Sequence, residues 1–328
     1  MKVTRQTNFP STYQDFEIMF PDEASCVAYL EQIRWPNGFV CPVCQQPQQP
    51  WKQSRGRLVC PACNRQCTVT AGTIFDKTRT PLKTWFTVAW HITTADRIVA
   101  NQLERTMGIS YHVAWHMLHR FRVAMAHASR KLLSGEVHVD EMMIGGIETG
   151  GKRGRGTDKS IVVIALKIPH YSGNRGQIRV RSVPDVSDKS LETFVRETIS
   201  PGSVLCTDGL RGYLRLSYPE YEHRQSTPLY TTPLNDPGGV KMPKVRQVAL
   251  ELERWLFRPR QRSFTKEHLQ SYLEEFTFRF NCLTIQSHEK LFRHLLKQSV
   301  SIPPVTQENI QHGYDWNTEK QAKITGAK

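Results

Sequence analysis

The 328-residue sequence predicts a multidomain α/β protein: a zinc ribbon, a helix-turn-helix pair, then a mixed-sheet domain. Three observations carry this. Two CxxC pairs, Cys41-Pro-Val-Cys44 and Cys60-Pro-Ala-Cys63, stand near the N-terminus. Residues 82–130 show apolar positions at helical spacing, broken by Gly108-Ile-Ser110. From residue 136 the period changes to that of strands, with helical patterns after them.

The elements follow in order. Residues 1–36 form a helical lead-in, with Pro21-Asp22-Glu23-Ala24 as a helix start. Residues 37–76 are the ribbon, ending in a strand over Thr68–Phe75. Each Cys-Pro-x-Cys turn aims two sulfurs at one point, so Cys41, Cys44, Cys60 and Cys63 can close one tetrahedral Zn²⁺ site. Four protein ligands leave no open position, so one structural zinc orders the module and catalyses nothing. Cys67 is close enough in sequence to be a substitute ligand; Cys206 and Cys282 read as small core residues.

Residues 82–130 are helical. One helix runs from Ile98 to Met107, Gly108 makes the turn, Ser110 caps, and a second helix runs from Tyr111 to Ala126. Its stripe is Ala114, Met117, Leu118, Phe121 and Met125; Tyr111, His112, His116 and Arg120 are candidate DNA contacts. In residues 134–300, strands are expected at 136–140, 161–168, 177–183 and 203–208, helices at 187–199, 243–257 and 265–281, and loops over 217–242. Residues 301–328 form a polar tail.

Charge narrows the partner. Lys and Arg number 44 against 30 Asp and Glu, a net +14, and residues 51–130 alone carry twelve basic and three acidic residues. Such a surplus is self-repulsive unless a polyanion neutralises it, which favours nucleic acid. Lys152, Arg153 and Arg155 in a Gly-rich loop, and Arg258, Arg260 and Arg262 further on, are candidate backbone contacts. The loop lacks the GK[ST] of a P-loop, so it is not an ATP site. No apolar leader and no spanning segment are visible, and eight cysteines without an export signal point to a reducing cytoplasm.

Asp140 and Asp208 each end a strand pattern. Two carboxylates on neighbouring strands can share Mg²⁺, and a third from a packed helix completes a two-metal site for phosphoryl displacement. The helix at 243–257 offers Glu251 and Glu253 on opposite flanks of its apolar stripe, and periodicity does not choose between them.

The chain resembles the zinc-ribbon DDE transposases of bacterial insertion sequences, the ISXO-like group, over most of residues 20–297. The resemblance rests on FPDEASCVAYLEQIRWPNGFVCPVC, TVTAGTIFDKTRTPLKTWF, MGISYHVAWHMLHRFR, VHVDEMMIGG, GKRGRGTDKSIVVIA, VLCTDGLRGY and HLQSYLEEFTFRFN. It implies an RNase H-like catalytic core behind two DNA-binding modules, with Asp140 and Asp208 as the first two catalytic acids. Where the group has a helix like SNLKTWL, this chain has ELERWL, which puts Glu251 in the third place and Glu253 where a lysine commonly follows. Arg258-Pro259-Arg260 replaces the glycine-containing turn, and Cys282-Leu283 replaces the Arg-Arg after FRFN. The implied activity is Mg²⁺-dependent cleavage at element ends, with Mn²⁺ as a substitute ion, and 3′-OH transfer into target DNA by at least a dimer near the nucleoid. The competing readings are a non-catalytic DNA-binding regulator derived from a transposase and a structure-specific nuclease.

Overall fold

The computed structural model describes residues 9–95, 98–128, 131–145, 159–169, 175–207, 213, 220–225, 242–257, 266–282 and 287–311. It divides into two compact units, residues 1–127 with 285–328, and residues 128–284.

The first unit opens with α1 (Tyr13–Met19) and α2 (Glu23–Arg34). Asp22 caps α2 as the sequence predicts, its carboxylate accepting from the Ser25 N–H at 2.8 Å. The ribbon is a three-stranded antiparallel sheet of β1 (Trp51–Gln53), β2 (Arg57–Val59) and β3 (Gln66–Cys67). Helices α3 (Leu82–Thr94), α4 (Ala100–Met107) and α5 (Tyr111–Ala128) follow. Pro81 supplies no side-chain cap to α3; instead Glu23, from α2, accepts the Leu82 and Lys83 N–H groups at 2.7 and 3.0 Å. That carboxylate also sits at the positive end of the helix dipole.

The strand expected at Thr68–Phe75 is a correction: the segment is a run of turns. Threonine hydroxyls bond the local backbone, Thr73 Oγ1 donating to the Thr70 carbonyl at 2.6 Å and accepting from the Phe75 N–H at 3.1 Å, and this competes with a ladder. Arg34 donates to the Val69 carbonyl at 2.6 Å and Arg120 to the Ile74 carbonyl at 3.0 Å, fixing the turns from both sides.

A helix over His288–Ser301, here α9, belongs to this first unit and not to the sheet domain, which corrects the expected 134–300 boundary. Its Phe292 completes an aromatic cluster with Phe16, Phe20, Tyr29 and Phe86, at centroid separations of 6.1, 6.0, 6.2 and 5.7 Å. Phe292 is fully buried. Phe292→Ala is expected to cost about 3–5 kcal/mol by leaving a cavity among unmoved rings, measured as a lowered urea midpoint of the first unit.

The second unit is built on a five-stranded mixed sheet. Its strands are β4 (Glu136–Ile144), β5 (Ser160–Lys167), β6 (Gln177–Val183), β7 (Val204–Thr207) and β8 (Glu222–Gln225). The order is β6-β5-β4-β7-β8, with β4–β5–β6 antiparallel and β4–β7–β8 parallel. One face carries α6 (Asp188–Thr198) against Val137, Val139, Val163 and Ala165. The other carries α7 (Pro243–Leu256) and α8 (Lys266–Cys282) against Ile144, Val162, Ile164 and Leu166. Burial on both faces is why β5 reads as an unbroken apolar run. Just before β6, Gly176 has φ of 83°, and a Cβ there would stand 2.1 Å from the Lys167 carbonyl oxygen.

Strand β6 is an edge, and α8 covers it with amides. Asn281 accepts the Ile178 N–H at 2.8 Å and donates to its carbonyl at 3.1 Å. Gln270 accepts the Ser182 N–H at 2.9 Å and donates to the Val180 carbonyl at 3.3 Å. The HLQ and FRFN motifs therefore do structural work, closing an edge open to unwanted pairing.

Candidate metal centres and nucleic-acid interface

The ribbon cysteines sit on two turns of the same design. The Gln45 N–H donates to the Cys41 carbonyl at 2.9 Å, and the Asn64 N–H donates to that of Cys60 at 2.9 Å. The Cys41 and Cys60 N–H groups return bonds to the carbonyls of Gln46 and Arg65 at 3.2 and 3.0 Å. Gln45 and Asn64 both take positive φ, 58° and 55°, to close these loops. The result brings all four sulfurs within 4.8 Å of one another, with Cys41–Cys63 at 3.7 Å and Cys44–Cys60 at 3.6 Å. Sulfurs around one tetrahedral Zn²⁺ with bonds of about 2.3 Å lie about 3.8 Å apart, so the set fits zinc closely. Burial pushes the Cys41 thiol up, but N–H bonds from Cys44 and Val43 outweigh it and hold the group at about 7. Cys67 is not one of the four; from β3 it pairs with Leu58 of β2 and packs against the cluster.

In the helical pair, Gly108 adopts the left-handed conformation with φ of 64°, and Ser110 Oγ accepts the Val113 N–H at 3.4 Å. Tyr111 and His112 are exposed at the start of α5, and His116 is half-buried one turn on. Burial, with Arg120 and His112 nearby, lowers the His116 pKa. Arg120 is turned inward: besides its bond to Ile74, its guanidinium lies 5.9 Å from the Trp85 ring. Its charge is spent on the fold, because its place on α5 is next to the Met117 and Phe121 stripe. Lys152, Arg153, Arg155, Arg258, Arg260 and Arg262 lie outside the described residues.

Asp140 lies in the middle of β4, not at its end, since the strand continues to Ile144 and pairs Asp140 with Ile164. Alternation sends it to the α7 face with Met142 and Ile144. Its side chain is 16% exposed, accepts the Glu141 N–H at 3.0 Å, and stands 3.9 Å from Arg246 Nε on α7. Such a carboxylate, mostly buried yet charge-compensated, has the hard oxygens that Mg²⁺ takes. Strand β7 ends at Thr207, opposite Val139; Asp208 follows it and lies outside the described residues. Glu251 is on α7, where Arg175 pairs with it and Gln247 donates to it at 3.1 Å. Arg175 also stacks over Phe280 of α8 at 4.8 Å, so Glu251 occupies the α8 side of α7. Arg246 and Glu251 are five residues apart, roughly 140° around the helix, whereas Glu253, at seven residues, falls within about 20° of Arg246. The sequence reading missed Arg246. Its only signal is a cation one turn into the helix that carries the third acid.

Among known proteins, residues 132–281 match the ISXO2-like transposase domain family, IS1595 type, and residues 21–66 match the transposase zinc-ribbon domain. A protein described as uncharacterized, in transposable element ISH50 of Halobacterium salinarum, is 29% identical over 143 residues. That match covers 43% of this chain and 47% of the relative, about half its length. The crystal structure of the Mos1 strand transfer complex aligns over 66% of this chain and 76% of that one, at 12% identity and a TM-score of 0.27, too low to support an argument. With a ribbon built for zinc ahead of a mixed sheet that carries Asp140, and with both segments matched in the same order, the chain carries a transposase zinc-ribbon domain followed by an ISXO2-like transposase domain.

Proposed function

We propose that the protein binds the ends of a DNA element and catalyses strand cleavage followed by 3′-OH transfer into target DNA. The match of residues 132–281 to a transposase domain carries the reading, supported by Asp140 on the sheet face under α7. The zinc-held ribbon and the exposed start of α5, with Tyr111, His112 and His116, contact the element end. The net +14 supplies the charge match to phosphate. The basic residues at 152–155 and 258–262 extend that contact along the backbone.

Asp140, Asp208 and a carboxylate of α7 would hold paired Mg²⁺ ions, which would supply an activated water and neutralisation of phosphate charge. Asp140 is positioned by the Glu141 N–H, so its second oxygen is fixed in direction. Arg246 balances its charge before the site is loaded and would be available to a phosphate bound there. Both steps are in-line displacements, so orientation by the rigid sheet replaces any covalent intermediate on the protein.

Sequence correspondence makes Glu251 the third ligand, and using it requires the Arg175 pair to open. The Arg246 contact favours a second reading, in which Glu253, on the flank shared with Arg246, takes that place. Separate alanine variants decide. Loss of strand transfer by about 100-fold or more on Glu251→Ala, with Glu253→Ala near wild type, retains the first assignment; the reverse pattern transfers the role. Gel-based assays on labelled element-end duplexes report cleavage and joining separately. A product set with cleavage and no joined strands identifies a nuclease, and binding without either identifies a regulator.

A further inference from the structure

We propose that Glu136, His138 and Cys206 form a second zinc site, set in the mixed sheet and separate from the ribbon. Glu136 and His138 are two residues apart on β4, so they share the face that carries Asp140. Cys206, on β7, is the direct partner of His138 in the parallel ladder. One ligand atom from each of the three lies within 4.8 Å of the others. Donors around a single zinc with N, O and S bonds of about 2.0–2.3 Å stand roughly 3.3–3.8 Å apart. Closing the set therefore takes a contraction of up to an ångström or so.

The surroundings fit a ligand set better than a packing accident. His138 is 6% exposed and Cys206 is 1% exposed, on two adjacent strands of one rigid sheet. His138 Nε2 bonds Glu136 Oε1 at 2.8 Å, while its buried Nδ1 has no partner among the described residues. A buried imidazole half satisfied is costly unless the residue does something more than fill space. Imidazole nitrogen, thiolate sulfur and one carboxylate oxygen are a borderline-soft set, which selects Zn²⁺ over Mg²⁺. A metal entering the set binds Cys206 as its thiolate and displaces the thiol proton into solvent. Three protein ligands leave the fourth position to water.

The test is zinc content of the full chain after equilibration with buffered zinc, together with Co²⁺ substitution. Wild type is expected to hold about two zinc ions per chain. Cys206→Ser and His138→Gln are each expected to hold about one, the ribbon's, whose retention shows that the chain has folded. The Co²⁺ form of Cys206→Ser should also lose part of the thiolate-to-cobalt absorption, with the ribbon's share unchanged. Glu136→Gln, which keeps the side-chain volume, reads the same site if either of the other variants fails to fold. A wild type that takes up a single zinc, or variants that keep two, would overturn the proposal.

Discussion

Asp140→Asn is expected to lower strand cleavage and strand transfer by at least about a thousandfold, roughly 4 kcal/mol of barrier at 1.36 kcal/mol per tenfold. Asparagine keeps the size of the side chain and an oxygen to accept the Glu141 N–H, so β4 and its pairing with β5 are undisturbed. What is lost is the negative charge that holds a divalent ion and that balances Arg246 at 3.9 Å. Affinity for element-end DNA should stay within a few-fold, because the proposed contacts lie on the ribbon, α5 and the basic loops. Filter binding and cleavage on one duplex, with Mg²⁺ and then Mn²⁺, separate the two effects. Full activity of Asp140→Asn in Mg²⁺ would remove the enzymatic reading altogether.

The second large effect is expected at the ribbon. Cys41→Ser should release one equivalent of zinc and unfold residues 37–67, since binding energy in structural zinc modules is folding energy, on the order of 10–16 kcal/mol. The ribbon sheet holds only two or three residues per strand, with β1 exposed throughout, so little apolar packing remains once the metal is gone. Chelation should do the same to the wild type. The readouts are zinc per chain, proteolysis within 37–67, and loss of element-end binding. The second unit, a separate compact body with its own core, should keep its unfolding midpoint. Retention of that zinc by Cys41→Ser would show that the four sulfurs are not its ligands.

Several features were legible because they are local. The paired Cys-Pro-x-Cys turns, the Asp22 cap and the Gly108 turn each depend on residues within about five positions of one another. Strand β6 falls on the expected residues, 177–183, because its alternation reports one buried and one half-buried face. Other features were not legible. Strand β8 is Glu222-His-Arg-Gln225, wholly polar, and is a strand only because β7 offers it an edge to pair with. Thr68–Phe75 has the composition of a strand, yet two arginines distant in sequence bond its carbonyls into turns. Arg120 looked like a surface cation on a basic helix, while its partner, Ile74, lies 46 residues away.

The sequence by itself determined the zinc-ligand spacing, the capped helices, the change from helical to strand period and, through whole motifs, the likeness to a zinc-ribbon and a transposase domain. Those properties follow from short-range geometry, in which neighbours along the chain fix each other's directions. Tertiary structure alone decided that α9 joins the N-terminal unit, that Asp140 faces α7 from mid-strand, and that Arg175 and Arg246 claim opposite flanks of that helix. Each of these depends on which apolar stripe finds which partner across 76 or more residues. A periodic pattern states that a face is buried and leaves open against what.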